Sequence, residues 1–435
     1  MSSSSSTRAR SVDYGESEGG FAGWPGLWGF MLVQVVGLVW LQKLGMPAGG
    51  GKVIAINLPL ILGSLGVLWL LNPSTIVVDP KRTIMFSMFS GIAIMSQVFG
   101  GSLDFSPTGL ALMLGMYVPL IFRWEVRRED YLRVMRFFNT SMFVVSFIVF
   151  ALQAIQKVAS WHAWPDMNKL VPEALLVQGF NYYRETSFNS GKLSPHAVVF
   201  LEPSIVSQFL AIAIVIEFEF FKRNLYMLIF LPALLLTGSG TGMLMLIFAA
   251  PLVAKKLPAG LLIAAVVIAG VGGGVAGSMG LLDKTIERMA EVNQEGTSGY
   301  YRFTLPFMQL VEALSTPERA FFGTGAGSTV EREDIATVTL AINKLVTEYG
   351  SLTAIAFFVL HFHTLFERAP SRMLAIVLAV YYNLCGAGLS VPIYAIAYIV
   401  LGAMLRIRED DDVRPSAPPK NFRVRVSSIP PPART

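Results

Sequence analysis

Glu202 is a carboxylate inside a stretch that otherwise has the composition of a membrane-spanning helix. Residues 196–221 read HAVVFLEPSIVSQFLAIAIVIEFEFF, with Glu202 near one end. A charged side chain in hydrocarbon is costly unless it finds a partner or reaches the interface, so its depth decides what it can do. Proline is favoured as the first residue of a helix, which places Pro203 at the start and Glu202 at the positive end of the helix dipole. There the carboxylate either acts on a proton, caps its helix or pairs with an arginine.

The residues after Glu202 indicate what this helix faces. Ser204, Ser207 and Gln208 follow at spacings of three and four, which puts them on one helix face, and the small Ala211 continues it. The sequence therefore predicts that this face either contacts another helix or lines a wet cavity.

Two further segments place an arginine beside paired tyrosines. They read FNYYRETSF, with Arg184, and TSGYYRFTLPF, with Tyr301 and Arg302. A guanidinium can hold an anion through its planar fork while the aromatic rings stack on a sugar face. The alternative is an aromatic belt at the membrane interface, with each arginine on a lipid phosphate.

The elements that position these residues are predicted to be transmembrane helices. The chain of 435 residues is 53% hydrophobic and only 14% charged, whereas soluble domains have about 25% charged residues. The expected fold is all-α, a polytopic integral membrane protein with about 12 transmembrane helices between residues 25 and 406 and two long loops on the outer face. The candidate spans lie near 25–43, 53–71, 84–100, 107–122, 137–156, 199–220, 225–238, 241–254, 259–282, 349–366, 373–388 and 391–406.

The distribution of Lys and Arg predicts the orientation. Segments on the side of the N-terminus carry 22 of these residues and the other side carries 12, ten of which fall in the long loops 157–198 and 283–348. Both termini are therefore expected in the cytoplasm. No cleavable signal peptide is expected, and the tails 1–24 and 407–435 are predicted to be disordered. Nucleic acid is not an expected partner, because the charge pattern is that of membrane topology.

Several other motifs indicate structural roles. TGSGTG at 237–242 predicts a tight external turn, and GTGAG at 323–327 a flexible external loop. The glycines of 270–277 are spaced for close helix packing. The single cysteine, Cys385, excludes a disulfide framework and favours packing in a helix. His361 and His363 are predicted to pack, and no metal site or other cofactor is expected.

The order of these motifs resembles a known family. FLEPSIVSQFLAIAIVIEF, LLLTGSGTG, an arginine in a long external loop, FFGTGAGS and INKLVTEYGSLTAIAFF together resemble the Wzy-type polysaccharide polymerases and are similar to the related O-antigen ligases. The resemblance implies a bacterial inner-membrane enzyme that joins glycans carried on undecaprenyl diphosphate at the periplasmic face, together with flippase and chain-length regulator proteins. The ligases commonly have a His-Asn pair where this chain has Ile342-Asn343, which favours the polymerases.

Such a transfer requires a partner for the departing diphosphate and a base for the acceptor hydroxyl. For the diphosphate, Arg302 is the first candidate and Arg184 the second. For the base, Glu202 comes before Glu348 and His196. The remaining candidates for contact with substrate are Tyr301, Asn343, Lys344 and Arg319. Ligase-type transfer of the glycan to another acceptor, a secondary transporter and a non-enzymatic export component remain alternatives, although the paired halves with broken helices that are typical of transporters are not evident.

Overall fold

A computed structural model of the chain describes residues 25–47, 53–71, 76–100, 105–165, 167–177, 180, 192–256, 294–295, 300, 304–328, 340–386, 389 and 391–408. The described chain is mostly helical, as predicted, but short strands join some of the helices, so the fold is not purely α.

The first half of the described chain contains seven α-helices. They are α1 (Pro25–Val39), α2 (Asn57–Leu71), α3 (Pro80–Phe99), α4 (Pro107–Tyr117), α5 (Arg128–Ala159), α6 (Met167–Leu170) and α7 (Pro203–Ile216). Three 3₁₀ turns lie at Val118–Ile121, Trp161–Ala163 and Glu173–Leu175, and a π-helical segment, Glu217–Phe221, continues α7.

The described helices of the second half are α8 (Asn224–Leu236), α9 (Gly240–Ala254), α10 (Leu305–Leu314), α11 (Pro317–Phe322), α12 (Ala341–Phe366), α13 (Arg372–Leu384) and α14 (Pro392–Tyr398). The π-helical segment Ile399–Ala403 continues α14. The strands are β1 (Gly45–Pro47), β2 (Val53–Ala55), β3 (Ile76–Val78), β4 (Phe122–Val126) and β5 (Leu405–Ile407).

Within the described residues, four helices are long and apolar enough to cross a membrane: Pro80–Phe99, Arg128–Ala159, Pro203–Phe221 and Ala341–Phe366. The other predicted spans that the structure describes form shorter apolar helices, such as the 13-residue α8 and the 15-residue α9. The predicted span 259–282 lies outside the described residues. About 12 spans therefore stays a prediction.

One end of the helix bundle carries a three-stranded sheet, and we refer to it as the sheet face. β4 pairs antiparallel with β3 and parallel with β5, so three distant connections meet there. Arg82 is fully buried and donates to the carbonyls of Phe122 and Ala403, which ties α3 to β4 and to the end of the α14 segment.

We refer to the opposite end of the helix bundle as the loop face. It contains the helix ends that lie away from the sheet. There β1 and β2 form an antiparallel ribbon, and Leu44 bridges to Leu176 of the first long loop. Helix α12 connects the two faces, because the carbonyl of Glu348 in its first turns accepts from Gly325, whereas Glu367 just past its end accepts from Arg406.

Helix α7 lies in the centre of the bundle. Every residue from Pro203 to Ile216 is buried, and the helix packs against α5, α8, α9 and α13. Its N-terminal end, beside the half-buried Glu202, lies at the loop face.

Candidate functional site

Glu202 lies immediately before α7, as predicted. It is the N-cap residue with extended backbone (φ −147°, ψ 156°), and Pro203 is the first helical residue. Its side chain makes no capping hydrogen bond to the helix backbone, so the capping alternative is not what the structure shows. Instead Ser204 Oγ donates to Glu202 Oε2 at 2.7 Å. The carboxylate is half-buried and is held at the loop face by a neutral hydroxyl.

The polar face that follows Glu202 is a helix contact. Ser207 Oγ donates to the carbonyl of Ser239 at 3.2 Å and accepts from the backbone N–H of Gly242 at 3.0 Å. Gln208 Nε2 donates to Thr241 Oγ1 at 3.1 Å. The segment TGSGTG thus forms the predicted tight turn, and its residues fix the start of α9 against α7. Gly242 has no room for a side chain there, because a Cβ would overlap Ser207.

A second group of candidates lies in the first turns of α12. Lys344 Nζ donates to Glu348 Oε1 at 2.7 Å, and the two side chains are only 8% and 1% exposed. The helix begins at Ala341, so both residues belong to it, although they were predicted to precede a span starting at 349. A buried pair of this kind offsets much of the cost of removing each charge from water.

The Lys344–Glu348 pair borders a cavity of about 130 Å³. Its walls are otherwise mainly apolar or glycine: Gly109, Leu112, Met113, Met116, Gly327, Tyr349 and Leu389. Concave, largely apolar sites with a few converging polar groups are where proteins bind small ligands. The cavity therefore offers one cation and one carboxylate to a bound group.

The GTGAG segment holds this pair in place and is not the flexible loop that was predicted. The backbone N–H groups of Thr324 and Gly325 donate to the carbonyls of Thr347 and Glu348, at 2.7 and 3.1 Å. Gln97 of α3 completes the arrangement, since it donates to the carbonyl of Glu348 at 3.1 Å and accepts from the N–H of Ala326 at 2.7 Å. The backbone around Glu348 is thereby fixed from two sides.

The connection between α13 and α14 links the two groups. Gln208 Nε2 donates to the carbonyl of Cys385 at 2.9 Å, and Leu389, which borders the cavity, accepts from Tyr117 Oη at 3.3 Å. Cys385 itself is buried at the end of α13, in agreement with the predicted packing role. The start of α7 and the cavity are thus parts of one assembly at the loop face.

The other candidates have different surroundings. Asn343 Nδ2 donates to the carbonyl of Pro306 and ties α10 to α12. Arg319 pairs with Glu312 at 3.7 Å on the surface. His196 is 1% exposed, and its Nδ1 accepts from the N–H of Val198, so its position does not suit a base that must reach substrate. Arg184, Tyr301 and Arg302 lie outside the described residues.

Sequence reasoning missed residues that act across long separations. Gln97 lies near the end of α3 and Lys43 lies in the turn between α1 and β1, 3.4 Å from His196, and no local spacing relates either residue to the site. The spacing of Lys344 and Glu348 (i, i+4) is a signal that could have placed both on one helix. In the part of the chain that the structure describes, no three His, Cys, Asp or Glu side chains come together as metal ligands would.

These groups define the chemistry that the site can perform. In the described structure Oε1 of Glu202 has no hydrogen-bond donor, so this carboxylate can accept a proton from a bound hydroxyl. The ammonium of Lys344 can share its protons with an anionic group that enters the cavity.

The comparison with known proteins is consistent with this chemistry. The family model described as WcaD colanic acid polymerase matches residues 48–402. The match includes Glu202 and the Lys344–Glu348 pair with its cavity. No curated protein matches the chain.

Proposed function

The chain belongs to the WcaD colanic acid polymerase family, and from this membership we propose that it is a membrane glycosyltransferase that polymerises undecaprenyl-diphosphate-linked oligosaccharide repeat units at the periplasmic face of a bacterial inner membrane. The family match over residues 48–402 carries the proposal, because it includes nearly every element that builds the loop face.

The reaction forms a glycosidic bond and breaks a sugar–phosphate bond. An acceptor hydroxyl attacks the anomeric carbon of the donor sugar, and the bond from that carbon to the diphosphate oxygen breaks with its electron pair on the oxygen. The hydroxyl proton passes to a carboxylate, and undecaprenyl diphosphate leaves. No nucleotide sugar takes part.

Glu202 supports this step best as the base. Glu348 is buried and already bonded to Lys344, whereas Glu202 is half-buried and holds only the hydroxyl of Ser204 among the described residues. A proton acceptor must come within hydrogen-bond reach of the acceptor hydroxyl, which favours the more accessible carboxylate.

Arg302 is proposed as the main partner of the diphosphate, with Arg184 and Lys344 contributing further positive charge. A guanidinium can meet two phosphate oxygens at once, and the loss of the sugar–phosphate bond increases the charge on those oxygens. Tyr301 is proposed to stack on a sugar ring beside Arg302. Asn343 lies one residue before Lys344, where its contact with α10 supports the cavity wall.

The test uses purified protein in nanodiscs with a lipid-linked repeat unit as the only substrate. Polymerisation yields carrier-linked glycans of two or more repeats, together with undecaprenyl diphosphate. In a parallel reaction that also contains a different acceptor, transfer to that acceptor without elongation of the repeat unit would identify a ligase.

A deletion strain gives a second, independent readout. Single carrier-linked repeat units should accumulate, and polymer should be absent. Normal glycan together with failed movement of a solute would show a transporter and contradict the proposal. A flippase and a chain-length regulator are the expected protein partners in the cell.

A further inference from the structure

We propose that Lys43 and His196 are positioning residues that hold a strained turn immediately before α7 and thereby fix the direction of Glu202. The inference rests on the proposed function, because the turn affects the reaction only through Glu202, the proposed base. Neither residue is expected to touch substrate.

The strain lies at two consecutive residues. Ala197 and Val198 have φ values of 50° and 64°, and neither is glycine. The N–H of Val199 donates to the carbonyl of Ala197 at 2.7 Å, which closes a three-residue turn with Val198 at its centre. A β-branched residue in this region is unusual, and such backbone persists only where the surroundings enforce it.

His196 enforces the turn through its ring. Nδ1 accepts from the N–H of Val198 at 3.1 Å, and this side-chain hydrogen bond stabilises the turn in addition to the backbone hydrogen bond from Val199 to Ala197. Lys43 Nζ lies 3.4 Å from the same nitrogen. The two side chains are 1% and 0% exposed. Because Nδ1 accepts, the ring proton of neutral His196 lies on Nε2, and the Lys43 ammonium is the donor.

Lys43 is itself fixed by the first long loop. Its carbonyl accepts from the N–H of Val177 at 2.9 Å, and its neighbour Leu44 bridges to Leu176. Trp164 packs edge-on against the His196 ring, with centroids 5.9 Å apart. Three segments that are far apart in sequence therefore meet at this turn.

The turn leads directly into the start of α7. The N–H of Phe200 donates to the carbonyl of His196 at 3.3 Å, and the carbonyl of Glu202 accepts from Ile205 and Val206 in the first turn of the helix. The backbone is thus hydrogen bonded from His196 to the helix. If the backbone at Val198 relaxes to another conformation, we expect the Glu202 carboxylate to point in a different direction. Misplacement of a reacting group by about 1 Å can lower a rate by about two orders of magnitude.

The first experiment replaces the acceptor and then relieves the strain. His196→Leu removes the hydrogen bond to Val198 and should lower kcat of repeat-unit transfer about tenfold or more, with KM nearly unchanged. His196→Leu/Val198→Gly should recover most of that loss, since glycine adopts positive φ at little cost. His196→Asn should be milder than His196→Leu, because an Asn side chain can accept from the N–H two residues on.

Matched controls separate this role from a general loss of stability. Lys43→Met should lower kcat as His196→Leu does. The matched controls are Lys169→Met and His162→Leu, which replace exposed residues of the first long loop and should leave kcat unchanged. A merely structural role predicts lower protein yield without rescue by glycine. Equal activity of His196→Leu and the parent, or no recovery in the double variant, would overturn the proposal.

Hydrogen exchange provides a readout that does not need enzymatic activity. Backbone amides of the peptide covering residues 196–206 should exchange faster in His196→Leu and return towards the parent rate in the double variant. If the parent protein transferred no repeat units, the proposed function would fail. Unchanged exchange in His196→Leu would contradict the strained turn by itself.

Discussion

The two carboxylates of the candidate site, Glu202 and Glu348, have opposite surroundings. Glu202 is half-buried beside the neutral Ser204, and Glu348 is buried beside the positively charged Lys344. A base must be able to reach its substrate, whereas a buried ion pair mainly needs both members to be present. Changes at these positions should therefore affect catalysis and stability differently.

We expect Glu202→Gln to leave the amount of folded protein unchanged and to reduce repeat-unit transfer by about two orders of magnitude, in the range typical of general-base catalysis. The amide keeps the shape of the side chain but cannot take up the proton. Turnover in nanodiscs at matched protein level is the measurement. Ser204→Ala is the companion variant, and because it keeps the carboxylate, its loss should be smaller. Parental turnover in Glu202→Gln would remove this residue from the reaction.

When only one member of the buried Lys344–Glu348 pair is replaced, we expect the main effect to be a loss of stability. Lys344→Met leaves Glu348 without its 2.7 Å partner, so we expect the free energy of unfolding to fall by about 3–5 kcal/mol. Lys344→Met/Glu348→Gln removes both charges at similar volume and should recover most of that loss. Thermal unfolding in detergent measures the effect.

The double variant also tests the proposed part of Lys344 in substrate binding. If its stability returns while transfer stays low, the ammonium contributes to the reaction beyond holding the cavity together. Full transfer by the stable double variant would show that the pair is structural.

At the scale of elements, α12 is two helical segments joined at Gly350. This residue has φ 81° and ψ 166°, a conformation that essentially only glycine adopts. A Cβ at Gly350 would overlap the carbonyl of Phe321, and one at Gly323 would lie 2.6 Å from the carbonyl oxygen of Glu348. The bend therefore brings the GTGAG segment close to the backbone that carries Glu348.

We expect Gly350→Ala to lower the free energy of unfolding by about 2 kcal/mol or more, because it adds both backbone strain and overlap with α11. Gly91→Ala is the matched control, since its Cβ would enter open space on α3. Thermal unfolding and transfer should both be measured. Equal melting temperatures for the two variants would show that the bend is not required.

Asp79 links the sheet face to helix α3. Its Oδ1 accepts from the N–H groups of Lys81 and Arg82, and its Oδ2 lies 3.1 Å from Arg123 Nη1. Burial alone would raise the pKa of Asp79, but the Arg82 N–H and the charges of Arg82 and Arg123 outweigh it, so the pKa lies below its usual value.

The depressed pKa of Asp79 gives a stability contribution with a defined pH range. It is fully present above the unfolded pKa of about 3.9 and is lost as pH falls through the lower folded value. Asp79→Asn should therefore lower the melting temperature at pH 7, and its difference from the parent should shrink below about pH 4. Exposed Glu129→Gln is the control. A difference that stayed constant from pH 7 to pH 3 would contradict the role of this charge.

The elements could be predicted from sequence where one local signal decides them. Pro203 gave the start of α7, because the helix-start preference of proline depends only on its own ring. The three-residue strands at Ile76–Val78 and Leu405–Ile407 could not be predicted, since each exists only by pairing with β4. The held GTGAG segment was predicted as flexible because its partners, Thr347, Glu348 and Gln97, are far away in sequence.

The site shows the same division between local and distant signals. The partnership of Ser204 with Glu202 is local, because the two residues are only two positions apart. Lys43, by contrast, meets His196 across 153 positions, and a hydrophobicity pattern cannot relate them. Hydropathy also placed the start of the tenth span at residue 349, because the first turns of α12 carry polar side chains that are buried inside the protein.

At the scale of the whole molecule, the described connections fall into two groups, one at each face. The connections containing β3, β4 and β5 were all predicted on the inner side, and they form one sheet. The described parts of the first long loop, the turn before α9 and the GTGAG segment were all predicted on the outer side, and they lie at the loop face. The assignment of the loop face to the periplasm is a proposal from the distribution of Lys and Arg.

Cysteine labelling tests that assignment directly. The parent chain has one cysteine, Cys385, which is buried and should not react. Ser315 is exposed at the loop face and Lys81 is exposed at the sheet face, so each can carry a single introduced cysteine. In intact spheroplasts, an impermeant thiol reagent should label Ser315→Cys and should label Lys81→Cys only after the membrane is opened. If only Lys81→Cys were labelled in intact spheroplasts, the orientation would be the reverse of the one proposed. Glu202 and the cavity would then face the cytoplasm, where the proposed periplasmic polymerisation could not take place.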